Sequence, residues 1–433
     1  MRRLASNRAE QKAYYRFLKH PKLTEGLLIR EAADRLKSLV KGRHVLCIQD
    51  TSEINLTAHD GRISDKNGLG RLDYASYALG FKIHPVFVLD AYQLTPLGFA
   101  DIKLWHRPLE MPTRMERDYR RHSIEEKESY KWIEVSTRSK ESLKQATLVT
   151  FIQDREADIY EVFTEVPDKT HHLIIRSSSD RTLPNGIHLS ETLAALPLAG
   201  YHTICLCTDH RTGRSKTTVA LEIRFCKVRI RKPNSSHMKG CPAYKELYAV
   251  EAKQSGTKNQ AEKIYWRLLT THKVEDLNSA LQIINWYSCR WHIEQLFRLL
   301  KHKGFQIEQT ELESGAAIRK LTIIMLTAIL KIIQMRLAYS DENEGQPIEE
   351  VYNKEEINCL RLLNKKLQGK TIKQRNSYNP KKTKWATWIL ARLGGWKGYT
   401  SQGPPGIITL KRGLERFTLI LEGMLLAKEM GTR

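Results

Sequence analysis

The chain has 433 residues and a formal net charge of +23, with 71 Lys and Arg against 48 Asp and Glu. An apolar content of 41% suits a globular protein with a large core and does not favour a disordered chain, while a basic surplus of this size points to a polyanionic partner, nucleic acid first among them. Seven cysteines without metal-ligand spacing fit a reducing compartment, the N-terminus lacks a signal-peptide core, and the longest apolar run, LTIIMLTAIL at 321–330, is too short to span a bilayer, so a soluble, cytoplasmic protein is expected.

Residues 8–42 read as two short helices broken at Pro21. RHVLCIQDTSEI (43–54) reads as a buried strand with Asp50 at its carboxyl end. GFKIHPVFVLDAY (80–92) and TPLGFADIKLWHR (95–107) flank a tight turn and predict a hairpin. A highly charged stretch, RMERDYRRHSIEEKESYKWIEV (114–135), reads as helical. ATLVTFIQDREADIYEVF (146–163) is a second buried strand, ending in Asp154 and running into a helix. Both strands finish on one triplet: Ile48-Gln49-Asp50 and Ile152-Gln153-Asp154.

From 172 to 270 short alternating strands with turn-rich spacers predict a β-rich insertion, in which Cys205 and Cys207 fall on one face of a strand. Helical periodicity resumes over 274–304, VEDLNSALQIINWYSCRWHIEQLFRLLKHKG, read as one helix. The remainder is mostly helical. It is broken by a basic loop, KQRNSYNPKKTK (373–384), and by a Gly/Pro turn, LGGWKGYTSQGPPG (393–406), before a last amphipathic helix.

Within the helix over 274–304, YSCRWHIEQLFRLLK (287–301) holds one carboxylate, Glu294, among the cations Arg290, Arg298 and Lys301, and the next turn adds Lys303. At about 100° per residue, Trp286, Cys289, Ile293, Leu296, Phe297 and Leu300 form the core-facing stripe. Tyr287, Arg290, Glu294 and Lys301 lie within roughly 60° of one another on the neighbouring face. One reading makes this a solvated face, with Glu294 paired to Arg290 and Arg298 for a few tenths of a kcal/mol each. Asp50 and Asp154, taken singly, would then be helix caps or turn formers. The other reading takes the three carboxylates together. Acids on three separate elements are what a magnesium site for phosphoryl transfer requires, because a hard cation wants oxygen ligands. Cations beside the glutamate would then grip a phosphate backbone.

Tyr287, Arg290, Glu294 and Lys301 give Y-x2-R-x3-E-x6-K, which resembles the signature of the "IS-four" insertion-sequence transposases, a branch of the DDE class with an RNase H-like core. DREAD at 154–158 resembles that family's second-aspartate motif, QDTSEINLT at 49–57 its first, and WILARLGGWKGYTSQGPPGIITLKRGLERF at 388–417 its C-terminal region. The resemblance covers nearly the whole chain. It implies an α/β fold: an RNase H-like mixed sheet flanked by helices, with a β-rich insertion between the second Asp and the Glu and a helical C-terminal region. Residues 43–171 and 271–310 would form the catalytic core, 172–270 the insertion, and 311–433 the C-terminal region used in dimerisation. Family members carry further residues ahead of the AYYRF segment, so 1–42 match only the helical remnant of a DNA-recognition region.

Carried over by position, Asp50, Asp154 and Glu294 would be the catalytic triad holding two Mg²⁺ ions, with Mn²⁺ as a substitute. Tyr287, Arg290 and Lys301, with Arg298 beside them, would hold the transposon-end backbone. Trp266 would be the platform for a flipped base, or else a core strand aromatic, and Arg176 would grip a phosphate. Flipping costs a few kcal/mol, which stacking partly offsets. The implied activity is metal-dependent cleavage at transposon ends and strand transfer into target DNA. A 3′ hydroxyl is the second nucleophile and no covalent protein intermediate forms. The implied partners are terminal inverted repeats, target DNA and a second copy of the chain, with no membrane; the place of action is the bacterial nucleoid.

Two rivals share these residues. One is a structure-selective nuclease on the same core; the other is a non-catalytic remnant that binds DNA or dimerises and so inhibits full-length subunits. NKKLQGKT at 364–371 misses a P-loop, since Asn364 replaces the first Gly and no strand precedes it. The basic runs KVRIRK (227–232) and NPKKTK (379–384) face solvent or phosphate on this reading.

Overall fold

A computed structural model describes residues 7–110, 122–206, 217–233, 241–255, 264–302, 304–342, 344–369, 371, 374–399 and 402–431. The chain opens with two helices, α1 (Arg8–Lys19) and α2 (Glu25–Leu39), separated at Pro21 as the sequence predicts. Next come β1 (His44–Gln49), β2 (Ser52–Asn55), β3 (Gly70–Arg71) and the hairpin of β4 (Leu79–Asp90) and β5 (Pro96–Trp105). Helix α3 (Lys131–Ser142) leads into β6 (Leu148–Gln153), α4 (Tyr160–Glu165), β7 (His171–Arg176) and α5 (Leu189–Ala194). Four strands follow: β8 (Gly200–Leu206), β9 (Thr217–Arg231), β10 (Tyr244–Gln254) and β11 (Tyr265–Thr270). The rest is helical: α6 (Leu277–Ser288), α7 (Trp291–Lys301), α8 (Gly315–Ser340), α9 (Lys354–Leu367), α10 (Thr383–Leu393) and α11 (Ile407–Gly431).

The strands form one mixed sheet in the order β2-β4-β1-β6-β7-β11-β10-β9-β8, with β3 and β5 also paired to β4. Only β1–β6 and β6–β7 are parallel among these pairs. Their central residues are apolar on both faces, Val45–Ile48, Phe151–Ile152 and Leu173–Ile175, because both faces are covered. Leu46, Ile48 and Ile152 join the core beneath α6, α7 and α8, whereas Val45, Cys47 and Phe151 join the opposite core against α3 and α4. A third core gathers α9, α10 and α11 around the C-terminal half of α8. The strands within 172–270 all extend this one sheet, and α5 sits among them. No helix among the described residues is long and apolar enough to cross a membrane.

Two helix expectations need correction. Of the charged run 114–135, residues up to 121 lie outside the described residues, 122–127 are bends and turns, 128–130 form a single 3-10 turn, and the α-helix begins at Lys131. The helix takes hold where Trp132, Ile133 and Val135 supply a face to bury. The helix over 274–304 is two helices, joined at Cys289–Arg290. The Ser288 hydroxyl and the Cys289 thiol both donate to the Asn285 carbonyl. The Cys289 N–H turns to Trp286 O instead, and Arg290 N–H to Tyr287 O. Side chains competing for a carbonyl thus tighten one turn. Cys289 and Arg290 keep right-handed helical dihedrals, so the chain bends without reversing.

Candidate active site

The carboxyl ends of β1 and β6 lie side by side, because Ile48 pairs with Ile152 in parallel register. Asp50 and Asp154 follow one step after each strand's last residue, on the face covered by α6 and α7. The β1–β4 register places Pro85 opposite Asp50, and a proline has no N–H to continue the ladder. Pairing resumes with Ser52, so Asp50 sits in a gap between two paired segments.

Neither aspartate caps a helix. Asp154 precedes a 3-10 turn at Arg155–Ala157, yet its side chain makes no capping bond. Instead the buried Tyr287 hydroxyl donates to Asp154 Oδ1 at 3.2 Å. Asp50 Oδ1 accepts from Thr51 N–H at 2.8 Å, and Oδ2 accepts from Arg290 Nη1 at 2.9 Å. The second guanidinium nitrogen of Arg290 donates to Glu294 Oε1. Glu294 projects from the first turn of α7, four residues after Arg290, which opens that helix. One arginine therefore joins the acid of a strand end to the acid of a helix.

The electrostatics follow from crowding. Burial pushes the Asp50 carboxyl up to about 6; Arg290 and the Thr51 N–H hold it down, while Asp154 and Glu294 add to the rise. Burial opposes the charge on Arg290, but Asp154, Tyr287, Glu294 and Asp50 outweigh it and raise its pKa further. Burial, then the Asp154 carboxylate, push the Tyr287 phenol well above its ordinary value, so it remains a donor. Three carboxylates around one resident cation leave a surplus of negative charge. No three His, Cys, Asp or Glu side chains among the described residues are close enough to hold an ion as they stand, and between Asp50 and Glu294 lies the Arg290 guanidinium. An all-oxygen donor set with excess negative charge nevertheless fits a hard divalent cation.

The remaining predicted residues divide. Trp266, half-buried on β11, meets Tyr287 edge to face with ring centroids 5.4 Å apart. Arg176, at the end of β7, donates to Tyr265 O at 3.0 Å, and its charge reaches Tyr287. Both therefore border the carboxylates. Lys301 stands apart: its ammonium lies 3.7 Å from Glu308 Oε1, and Glu308 also accepts from Asn55 N–H. Arg298 is exposed and forms no ion pair with Glu294. Lys303 lies outside the described residues, as do Cys207 and the side chain of Cys205. The helix face read from periodicity thus splits into Tyr287, Arg290 and Glu294 at the strand ends, and Lys301 at the far end of α7.

Sequence reasoning passed over a second polar layer beneath the site: Gln49, Gln153, Ser136 and His84, all fully buried. The repeated Ile-Gln-Asp triplet was its signal.

With this geometry in place, the chain can be set beside known proteins. The model of the transposase DDE domain family matches residues 41–331, about two thirds of the chain. The chain belongs to that family. Among solved structures it is similar to the piggyBac transposase in a synaptic complex with hairpin DNA, determined by cryo-EM. That likeness has 9% identity and a TM-score of 0.33, over 87% of this chain and 57% of the other, so this chain spans little more than half the length of that relative.

Proposed function

We propose that this chain is a metal-dependent DNA-cleaving and strand-transferring transposase of the insertion-sequence type, built on an RNase H-like core. The observation that carries this reading is the meeting of Asp50, Asp154 and Glu294, from two adjacent strand ends and one helix, with Arg290 bonded to Asp50 and Glu294 and Tyr287 bonded to Asp154. Asp50, Asp154 and Glu294 are the residues that would hold divalent cations, two Mg²⁺ ions or Mn²⁺ in their place. When bound, these ions supply Lewis-acid stabilisation and activation of the attacking oxygen in phosphoryl transfer.

The protein's own groups do the rest. Arg290 exchanges its carboxylate partners for a phosphate oxygen, and Tyr287 keeps its proton and donates. Trp266 offers a ring face to an unstacked base. Arg176, Arg298 and Lys301 line the path of the backbone. Water first opens a phosphodiester at the element's end and leaves a 3′ hydroxyl, which then attacks a second phosphodiester. Each step exchanges one P–O bond for another, so no redox partner is needed. A second copy of the chain is the partner we assign to α11, whose Leu419, Leu426 and Met430 are all more than half exposed.

The test is cleavage of DNA carrying the element's own terminal repeats, with Mg²⁺, by the wild-type chain and Asp154→Ala. Loss of cutting in the variant with DNA binding retained is the expected result. Equal cutting by both would sink the carboxylate assignment, and binding without cutting by either would favour an inactive, DNA-binding protein.

A further inference from the structure

The two glutamines of the Ile-Gln-Asp repeat play no part in the chemistry above, yet both are completely buried. They lie on the sheet face opposite the carboxylates. Parallel register brings them side by side, and Gln153 Nε2 donates to Gln49 Oε1 at 2.9 Å. Gln49 Nε2 donates to Ser136 Oγ on α3 at 2.8 Å, and Gln153 Nε2 lies 3.2 Å from the same oxygen. Ser136 passes its own proton to Trp132 O at 2.6 Å. His84 joins from β4, its Nε2 3.4 Å from Gln49 Oε1 and its Nδ1 2.9 Å from Thr51 Oγ1. Complete burial keeps this histidine neutral. Its Nε2 then carries the proton toward the amide oxygen, and the Thr51 hydroxyl donates to Nδ1. Thr51 is also the residue whose N–H holds Asp50.

Earlier positions on this face, Val45 beside Val149 and Cys47 beside Phe151, are apolar. An amide pair at the last position costs desolvation that an apolar pair would avoid. The Gln153 side-chain oxygen, Oε1, is even left buried without a partner. What the amides add is direction, since a hydrogen bond fixes lateral spacing and an apolar contact does not. Spacing is least secure just here. The β1–β6 pairing ends at Ile48 and Ile152, Pro85 interrupts the other side, and two acids that repel each other come next.

We propose that the Gln49–Gln153 amide pair, anchored on Ser136, is a positioning device that sets the separation of the Asp50 and Asp154 carboxylates for cation binding. It rests on the reading of those carboxylates as cation ligands. Calorimetric titration of the full chain with Mn²⁺ alone, beside thermal melting, tests it on Gln153→Met, the double variant Gln49→Met/Gln153→Met, and Ser136→Ala. Gln153→Met strands its partner and should lower both melting temperature and Mn²⁺ affinity. The double variant replaces both amides by groups of similar shape, so its stability should largely recover. Its Mn²⁺ affinity should stay at least about tenfold weak, the usual cost of losing an outer-shell partner. Ser136→Ala, a milder cut, should weaken Mn²⁺ by a few fold and decides the matter if the double variant does not fold. Wild-type Mn²⁺ affinity in either folded variant overturns the proposal while leaving the carboxylate reading intact. Wild-type affinity in Asp154→Ala overturns both.

Discussion

The same sheet face carries polar clusters at both ends of β1 and β6, and the two are built on different terms. At the carboxyl end, Asp50 and Glu294 share the Arg290 guanidinium, Asp154 accepts from the Tyr287 hydroxyl, and all three acids are only partly buried. At the amino end, Thr150 Oγ1 lies 2.8 Å from both His44 Nε2 and His272 Nε2. His272 stacks on His172 at 4.2 Å between ring centroids, and His44 meets Trp286 edge to face at 4.8 Å. Thr150 and Asp154 are four residues apart on one strand, about 13 Å. The histidine end closes its hydrogen bonds within the protein and stays neutral. The carboxylate end leaves charge to be met from outside. Polar residues in one core can therefore be told apart by what remains unmet, not by residue type.

The difference can be broken by mutation. Asp50→Asn or Glu294→Gln should lower Mg²⁺-dependent DNA cutting by at least about 10²–10³-fold, the scale of losing one preorganised electrostatic group. Thr150→Val should leave cutting unchanged. It should instead cost about 1–3 kcal/mol of stability by orphaning two buried ring nitrogens, read as a lower midpoint in urea. Cutting that fell with Thr150→Val while the fold held would erase the distinction.

Much of the carboxylate end is legible in the sequence. Two strands ending in Asp, and an acid among cations on a helix, are local patterns, and register then brings them together. The break at Cys289–Arg290 was not legible, because Ser288 and Cys289 fit helical periodicity and only their bonds to the Asn285 carbonyl reveal the tightened turn. Lys301 meets a neighbour that helical periodicity does not give, for a related reason. Periodicity gives the direction of a side chain, but Glu308 reaches it from a turn beyond the helix. The buried glutamines showed as a repeated triplet whose meaning needed the parallel pairing of β1 with β6.

Acidity sharpens the comparison, since the two ends respond with opposite signs. Burial pushes His44 down to about 4 and His272 to about 3, with neighbouring histidines adding to it. The unfolded chain takes up these protons near pH 6.5, well before the folded chain does. The cluster's contribution is thus complete above about pH 6.5 and lost as pH falls toward 4. Asp50 runs the other way: its folded pKa is raised to about 6, so ionisation weakens the fold above that value and acid relieves it. Asp50→Asn should therefore raise the melting temperature at pH 7 by a few degrees, and the gain should vanish near pH 4. His272→Phe should flatten the acid limb between pH 6.5 and 4. An acid limb unchanged in His272→Phe would remove the histidines from the account.

The smallest effect concerns Lys301, which borders both regimes. Its ammonium has an internal partner in Glu308, but at 3.7 Å and with both side chains about a quarter exposed the pair is loose and worth little. A phosphate could replace that carboxylate at small cost. If it does, Lys301→Ala should weaken DNA binding and make the fall of log affinity with log salt shallower by about one unit. Glu308→Gln, which frees the lysine, should tighten binding and leave that slope nearly as it was. A purely structural lysine predicts another pattern. Lys301→Ala would then leave the salt slope alone, and Glu308→Gln would lower the melting temperature slightly, by weakening the bond that Asn55 N–H donates to this side chain, without tightening DNA. The salt slope separates these outcomes even where the change in affinity is slight, because it counts the cations that meet phosphate and ignores those that meet protein.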